Sequence, residues 1–318
     1  MVRRHGCSKS PIRPSHGRGI YKRFPASHQW EVPLPRAAVV ALTSQPGKTA
    51  REENFPVASL LLAAPIRDQV MAFYRFARTA DDVADNPHLT ADVKLTRLDA
   101  LEEALLGATA RPDTLSALAL RQAVDGDEVL LGHAAQLLQA FRRDALVDHC
   151  RDWCDLMAYC KFSAAPVGRF LLELHGESAE SFASSDALCA ALQVLNHLQD
   201  CGDDFSALGR VYVPRDWLQM AGLGYDAFAE ETTGPQLRHV LDMALDHVDG
   251  LIEMACPLPS RIHDRRLRCQ AAITFAVAER LSKRLRHGDP LAGRVKLSSL
   301  DYAGAIVVGV LQGLGIRA

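Results

Sequence analysis

From Pro65 onward, apolar residues recur at intervals of three and four, and no stretch sustains the strict alternation of a half-buried strand. The pattern predicts a helix from Pro65 to Asp85, with proline in its first turn and Asn86-Pro87 as its stop. A second helix is expected from Thr90 to Leu106, and others at about 113–123, 127–145, 148–175, 186–204, 235–255, 262–287 and 298–314. Long helices joined by short connectors imply a single all-α domain over residues 51–318.

Residues 1–50 break this pattern. They are rich in Arg, Lys, Pro, Ser, Gly and His, nearly free of acidic residues, and aperiodic, which predicts a disordered basic extension. Contact with lipid headgroups is the functional reading of such an arm. A dispensable tail is the plainer reading, and it is favoured because polybasic tails are common.

Charge and cysteine usage narrow the function classes. The chain carries 36 Lys and Arg against 38 Asp and Glu, a net charge of −2, whereas a protein built mainly for nucleic acid would need a basic excess. The eight cysteines lack paired spacing and read as reduced thiols of a cytoplasmic protein. Zinc on His149, Cys150, Cys154 and Cys160 is the alternative, but paired hooks are missing. The apolar run Ala303 to Gly313 is too short to span a membrane and is interrupted by Gly304 and Gly309.

Two helices carry the candidate chemistry. Tyr74, Arg78, Asp81 and Asp85 are spaced by four, three and four, so they form one stripe ending at a helix C-terminus. Carboxylates there oppose the helix dipole, and a divalent cation would compensate them. Gln193, Asn196, Asp200 and Asp204, spaced by three, four and four, form a second stripe opposite the apolar Leu188, Leu192 and Leu195. One such stripe alone reads as a solvated acidic face. Two of them, each ending an apolar helix, could hold Mg²⁺ and through it a diphosphate leaving group.

Between the stripes lies Tyr159-Cys-Lys-Phe-Ser-Ala-Ala-Pro-Val-Gly168. Pro166 should kink the helix and deprive the Phe162 carbonyl of its donor, while the small residues around it keep the surface low. The wall of an apolar tunnel and close packing against a neighbouring helix explain this stretch equally well.

With these residues the chain resembles the squalene/phytoene synthase family, head-to-head prenyl synthases of the all-α isoprenoid synthase fold. The likeness rests on Phe73-Tyr-Arg-Phe-Ala-Arg-Thr-Ala-Asp-Asp-Val-Ala-Asp85, Asn196-His-Leu-Gln-Asp-Cys-Gly-Asp-Asp204, Tyr159 to Gly168, and Gly209-Arg-Val-Tyr-Val-Pro214. It covers about residues 52–300. Glu53-Asn-Phe-Pro-Val-Ala-Ser59 and Leu174-His-Gly-Glu177 look most like the hydroxysqualene synthase branch of the bacterial hopanoid pathway, which converts presqualene diphosphate to hydroxysqualene. Gln199 stands before Asp200 where many condensing members carry arginine; this is expected to remove a diphosphate-facing cation and to favour a single-substrate reaction over condensation of two farnesyl or geranylgeranyl diphosphates.

The resemblance implies a catalytic set of Asp81, Asp85, Tyr159, Asp200 and Asp204, with Asp81, Asp85, Asn196, Asp200 and Asp204 holding two or three Mg²⁺ ions. It further implies that Phe55, Tyr74, Arg78, Gln193, Asn196, Arg210, Tyr212 and Arg294 meet the isoprenoid diphosphate. Arginine suits that task because its planar fork matches phosphate oxygens. No Gly-x-Gly-x-x-Gly follows a strand, so NAD(P)H is not expected. A lipophilic product makes peripheral contact with the inner membrane plausible, the charge balance argues against nucleic acid as a partner, and the resemblance implies a link to other hopanoid-pathway enzymes by pathway only.

Overall fold

Helix punctuation in this chain comes largely from proline and from aspartate or serine caps. Pro65 opens α1 (Ala64–Ala84), and Pro235 opens α10 (Pro235–Ala255), each in the first turn where its missing N–H costs nothing. Asp127 accepts from the Val129 and Leu130 amides at the start of α4 (Glu128–Asp144), and Asp152 accepts from Asp155 at the start of α5 (Trp153–Ser163). Asp264 caps α12 (Arg265–His287), and Ser298 with Asp301 forms a capping box on α13 (Ser299–Gly313). The remaining helices are α2 (Ala91–Leu105), α3 (Leu115–Ala123), α6 (Ala165–Leu174), α7 (Phe182–Gln199), α8 (Cys201–Leu208), α9 (Arg215–Met220) and α11 (Leu258–Arg261). This computed structural model describes residues 61–108 and 111–315, all within one unit, residues 43–318. The expected basic extension, its boundary near residue 50, and Phe55 lie outside the described residues.

The all-α expectation holds throughout the described residues, and most helix limits agree to within a few residues. Two expected helices are divided. The stretch 148–175 breaks at Ala164 (φ −125°, ψ −49°) into α5 and α6, because Pro166 donates no amide and restricts the residue before it. The stretch 186–204 begins earlier, at Phe182, and breaks at Asp200 (φ −103°, ψ 7°) into α7 and α8.

At the centre stands α7, buried on nearly every side by α10, α6, α12 and α5. Leu188, Leu192 and Leu195 are buried as their spacing predicts. A second apolar cluster joins α1 to α4, and Phe73 of α1 stacks on Phe170 of α6 with ring centres 4.1 Å apart. Close approach of α6 to α7 depends on Gly168, where an added Cβ would lie 2.3 Å from Ser185 Oγ and 2.7 Å from Cys189 Sγ.

One feature has no counterpart in the helical pattern. Residues 148–151, after α4, run beside 211–216, after α8: Val211 N donates to Asp148 O (2.8 Å), Cys150 N to Val211 O (3.3 Å), and Arg215 N to Cys150 O (3.0 Å). This short parallel pairing holds the Arg210 to Tyr212 segment against the end of α4.

The turn before α12 is tied by Glu177, whose carboxylate is 1% exposed and accepts from the His263 amide at 2.8 Å and the Asp264 amide at 2.7 Å. Despite burial, these backbone donors and His263 hold its pKa below the usual glutamate range. Glu177→Ala would strand two amide donors, so urea denaturation should register a loss of about 2–4 kcal/mol. A loss below about 0.5 kcal/mol would show that water replaces the carboxylate there.

Candidate active site

The two stripes come from different parts of the bundle and meet across one cavity. Tyr74, Arg78, Asp81 and Asp85 reach it from α1, and Tyr159 from α5. Gln193 and Asn196 reach it from α7, Asp200 and Asp204 from the α7–α8 junction, and Arg210, Tyr212 and Arg294 from the loops. Every sequence-predicted site residue within the described range therefore lines a single cavity of about 290 Å³.

The break at Asp200 does not scatter the second stripe. The Asp200 amide donates to the Asn196 carbonyl (3.0 Å), and the Asp204 amide donates to the Asp200 carbonyl (2.7 Å), so the four-residue ladder continues through the bend. Gly209, in the left-handed region at φ 65°, then ends α8 and turns the chain back toward Arg210 and Tyr212.

Each arginine assigned to phosphate by the resemblance is ion-paired with a motif aspartate. Arg78 bonds Asp81 and, at 3.0 Å, Asp82; Arg210 Nη1 lies 2.7 Å from Asp85 Oδ1; Arg294 Nε lies 2.7 Å from Asp200 Oδ1. Burial opposes the charge on Arg210, but Tyr212, Asp144 and Asp85 together raise its pKa, and the guanidinium stays charged.

Asp144, at the end of α4, lines the same cavity, and sequence reasoning missed it. Its carboxylate accepts from Tyr159 Oη (2.8 Å) and Tyr212 Oη (3.4 Å), while its carbonyl accepts from Arg210 Nη2 (3.1 Å). Asp148 follows it at four-residue spacing, but α4 ends at Asp144, so no acidic stripe forms, and the pairing of residues 148–151 with 211–216 brings Asp144 to Arg210 and Tyr212. His197 was also missed. It stacks on Tyr212 with ring centres 3.5 Å apart, and burial followed by Arg210 lowers its pKa to about 3, so the imidazole is neutral.

Gln199, the residue before Asp200, has a structural role. Its side chain is 1% exposed and points away from the cavity, donating to the carbonyl of Val295. It supplies no cation to the cavity, as the sequence implied. Instead it tethers the segment that brings the neighbouring Arg294 to Asp200. Leu291 of the same segment packs where a Cβ on Gly202 would come within 3.1 Å.

The donors around the chamber are hard oxygens, as Mg²⁺ requires, and carboxylate crowding supplies the reason to bind it. Desolvation, then repulsion from Asp85, raises the pKa of Asp81 to about 7 even though Arg78 lowers it. Among the described residues no three His, Cys, Asp or Glu side chains converge as a closed metal cage. A cation would thus be held by one or two carboxylates together with the ligand it accompanies, which is the habit of Mg²⁺. The disfavoured zinc reading gains no support, since among the described residues His149, Cys150, Cys154 and Cys160 form no such group.

Behind Ser163 and Gln193 a second cavity, about 130 Å³, extends the first. Its wall includes Leu171, Leu172, Leu188, Leu192, Leu258, Ile262 and Leu267, so an acidic chamber opens into an apolar tunnel. Both readings of Tyr159 to Gly168 hold: Ser163, Ala164, Val167 and Gly168 line the tunnel, and Gly168 also packs tightly on α7.

Burial raises the pKa of Asp144 to about 6, outweighing Arg210 and the tyrosine hydroxyls, which lower it. A carboxyl whose folded pKa is raised contributes stability below its unfolded pKa, near 3.8, and loses that contribution as pH climbs through about 6. The Tm difference between wild type and Asp144→Asn, measured with a chelator present, should therefore move against wild type from pH 4 to pH 6.5. A difference that is flat, or moves the other way, would contradict a buried, proton-holding Asp144.

A family model for squalene/phytoene synthase matches residues 49–301. Similar relatives include a hydroxysqualene synthase of Rhodopseudomonas palustris, 43% identical over 257 residues, which are 80% of this chain and 87% of the relative. Another, of Sinorhizobium fredii, is 41% identical over 269 residues, covering 84% and 89%. The crystal structure of a squalene synthase from Alicyclobacillus acidocaldarius aligns with a TM-score of 0.64 and 30% identity over 79% of this chain and 92% of that one. The chain belongs to the squalene/phytoene synthase family, enzymes of isoprenoid synthesis with the isoprenoid synthase fold.

Proposed function

We propose that this enzyme converts presqualene diphosphate to hydroxysqualene, ionising the substrate with Mg²⁺ and releasing an alcohol. The observation that carries this reading is the 41–43% identity to hydroxysqualene synthases over at least 80% of the chain. The geometry agrees, because an acidic chamber lined by arginines is joined to a hydrocarbon tunnel.

In this reading Asp81, Asp85, Asn196, Asp200 and Asp204 hold Mg²⁺. When bound, the ion neutralises the negative charge that develops on the departing diphosphate. Arg78, Arg210 and Arg294 stand beside the same carboxylates and provide planar donors to phosphate oxygens. Tyr212 and the Asp144 carbonyl fix the position of Arg210, and Tyr159 and Tyr212, both bonded to the Asp144 carboxylate, place hydroxyls at the chamber wall. The apolar tunnel holds the isoprenoid chains and limits access of bulk water to the cation.

Among the described residues no helix is long and apolar enough to cross a membrane. We assign the enzyme to the cytoplasm with peripheral contact at the inner membrane, since its substrate and product are lipids. The likeness to a squalene synthase is the observation that favours a second reading, head-to-head condensation of two prenyl diphosphates.

Purified protein given presqualene diphosphate and Mg²⁺, without NADPH, should yield hydroxysqualene. Asp81→Asn and Asp200→Asn should each lower kcat by at least about 100-fold while leaving helical circular dichroism intact. Unchanged presqualene diphosphate, together with consumption of farnesyl diphosphate, would overturn the first reading in favour of the second.

A further inference from the structure

Where the acidic chamber meets the tunnel, the wall is common to both cavities and contains Ser163, Gln193, Asn196 and Gln270 between the apolar Val167 and Leu171. Asn196 belongs to the aspartate stripe. The other three polar residues form a group at the throat, drawn from α5, α7 and α12.

Each of the three is constrained. Ser163 Oγ is buried and makes no hydrogen bond within the protein, an arrangement that costs about 1–3 kcal/mol unless another partner satisfies it. Gln193 Nε2 lies 3.1 Å from His197 Nε2. The His197 ring, itself stacked on Tyr212, holds one end of that carboxamide, and the other end is left for a further partner. Gln270 is 7% exposed and lines both cavities from the opposite helix.

A hydroxyl and two carboxamides offer donors and acceptors but no charge. They suit a small neutral polar molecule, and an ordered water at an apolar site needs two to four such partners. Their place is the boundary between the chamber where a diphosphate would depart and the tunnel where the hydrocarbon cation would remain.

We propose that Ser163, Gln193 and Gln270 hold the water that captures the carbocation, so that this throat selects an alcohol over an alkene as product. The proposal rests on the hydroxysqualene reading above. Heterolysis of the carbon–oxygen bond leaves the electron pair on diphosphate. A lone pair of the held water then forms the new carbon–oxygen bond, and the surplus proton passes to the released diphosphate, giving alcohol and hydrogen diphosphate. No oxidant or reductant takes part. Without the held water, loss of a proton from a carbon beside the cation gives a C30 alkene.

The test is product partition from presqualene diphosphate with Mg²⁺ in ¹⁸O-water, for wild type, Ser163→Ala, Ser163→Thr and Gln270→Leu. Ser163→Ala and Gln270→Leu should lower the alcohol-to-alkene ratio about tenfold, whatever the turnover rate, as expected for loss of one hydrogen bond to the water. Ser163→Thr keeps the hydroxyl and should restore the ratio. A wild-type ratio in both Ser163→Ala and Gln270→Leu overturns the proposal, and so does folded protein that no longer consumes substrate, because the residues would then serve ionisation. If wild type forms no ¹⁸O-labelled alcohol, the hydroxysqualene reading itself fails, an outcome distinct from the other two.

Discussion

Carboxylates crowded into one cavity repel one another, and this protein tolerates them because arginines pair with them, one from the same helix and two from other segments. Asp81, Asp85, Asp200, Asp204 and Asp144 line one chamber. Arg78, Arg210 and Arg294 each pair with one of the motif aspartates, and they arrive from α1, from the loop after α8 and from the segment after α12. Leaving a buried charge unpaired costs several kcal/mol, so the elements carrying the arginines must close on those carrying the acids. Pairing does not fully offset burial, which is the main cause of the raised pKa of both Asp81 and Asp144. A site with residual negative charge and hard oxygen donors has a thermodynamic reason to take up a divalent cation.

The remaining architecture serves that convergence. The central helix α7 is buried on almost every side and so holds Gln193, Asn196 and Asp200 at a fixed depth. The pairing of 148–151 with 211–216 brings Arg210 and Tyr212 to Asp144, and the Gln199 tether on Val295 brings Arg294 to Asp200. Positioning therefore depends on backbone hydrogen bonds and buried amides, while the groups that face the cavity stay available for chemistry. Beyond them the small residues of α5 and α6 leave room for hydrocarbon.

The helices and both acidic stripes were legible in the sequence because periodicity and four-residue spacing are local properties, and the two stripes needed only helical geometry to be recognised. Pro166 announced a disturbance, but local sequence did not reveal that the helix would end there. The bend at Asp200 was hidden for a related reason: hydrogen bonding passes through it, so the stripe looks continuous. Asp144 and the tether made by Gln199 were illegible. Both depend on contacts between segments tens of residues apart, and a polar side chain beside a motif gives no sign of whether it faces ligand or core. For Gln199 the sequence implied only a missing cation, and its place in the core was not visible there.

If the arginine-balanced acidic chamber is a Mg²⁺–diphosphate site, inorganic pyrophosphate alone should bind poorly, because the carboxylates repel it, and Mg²⁺ should reverse this. Isothermal titration of pyrophosphate into the protein, with and without Mg²⁺, measures that coupling directly. Affinity at least about 100-fold tighter with Mg²⁺, a coupling of about 2.7 kcal/mol, is the predicted result. Equal affinity in the presence of a chelator would contradict the account.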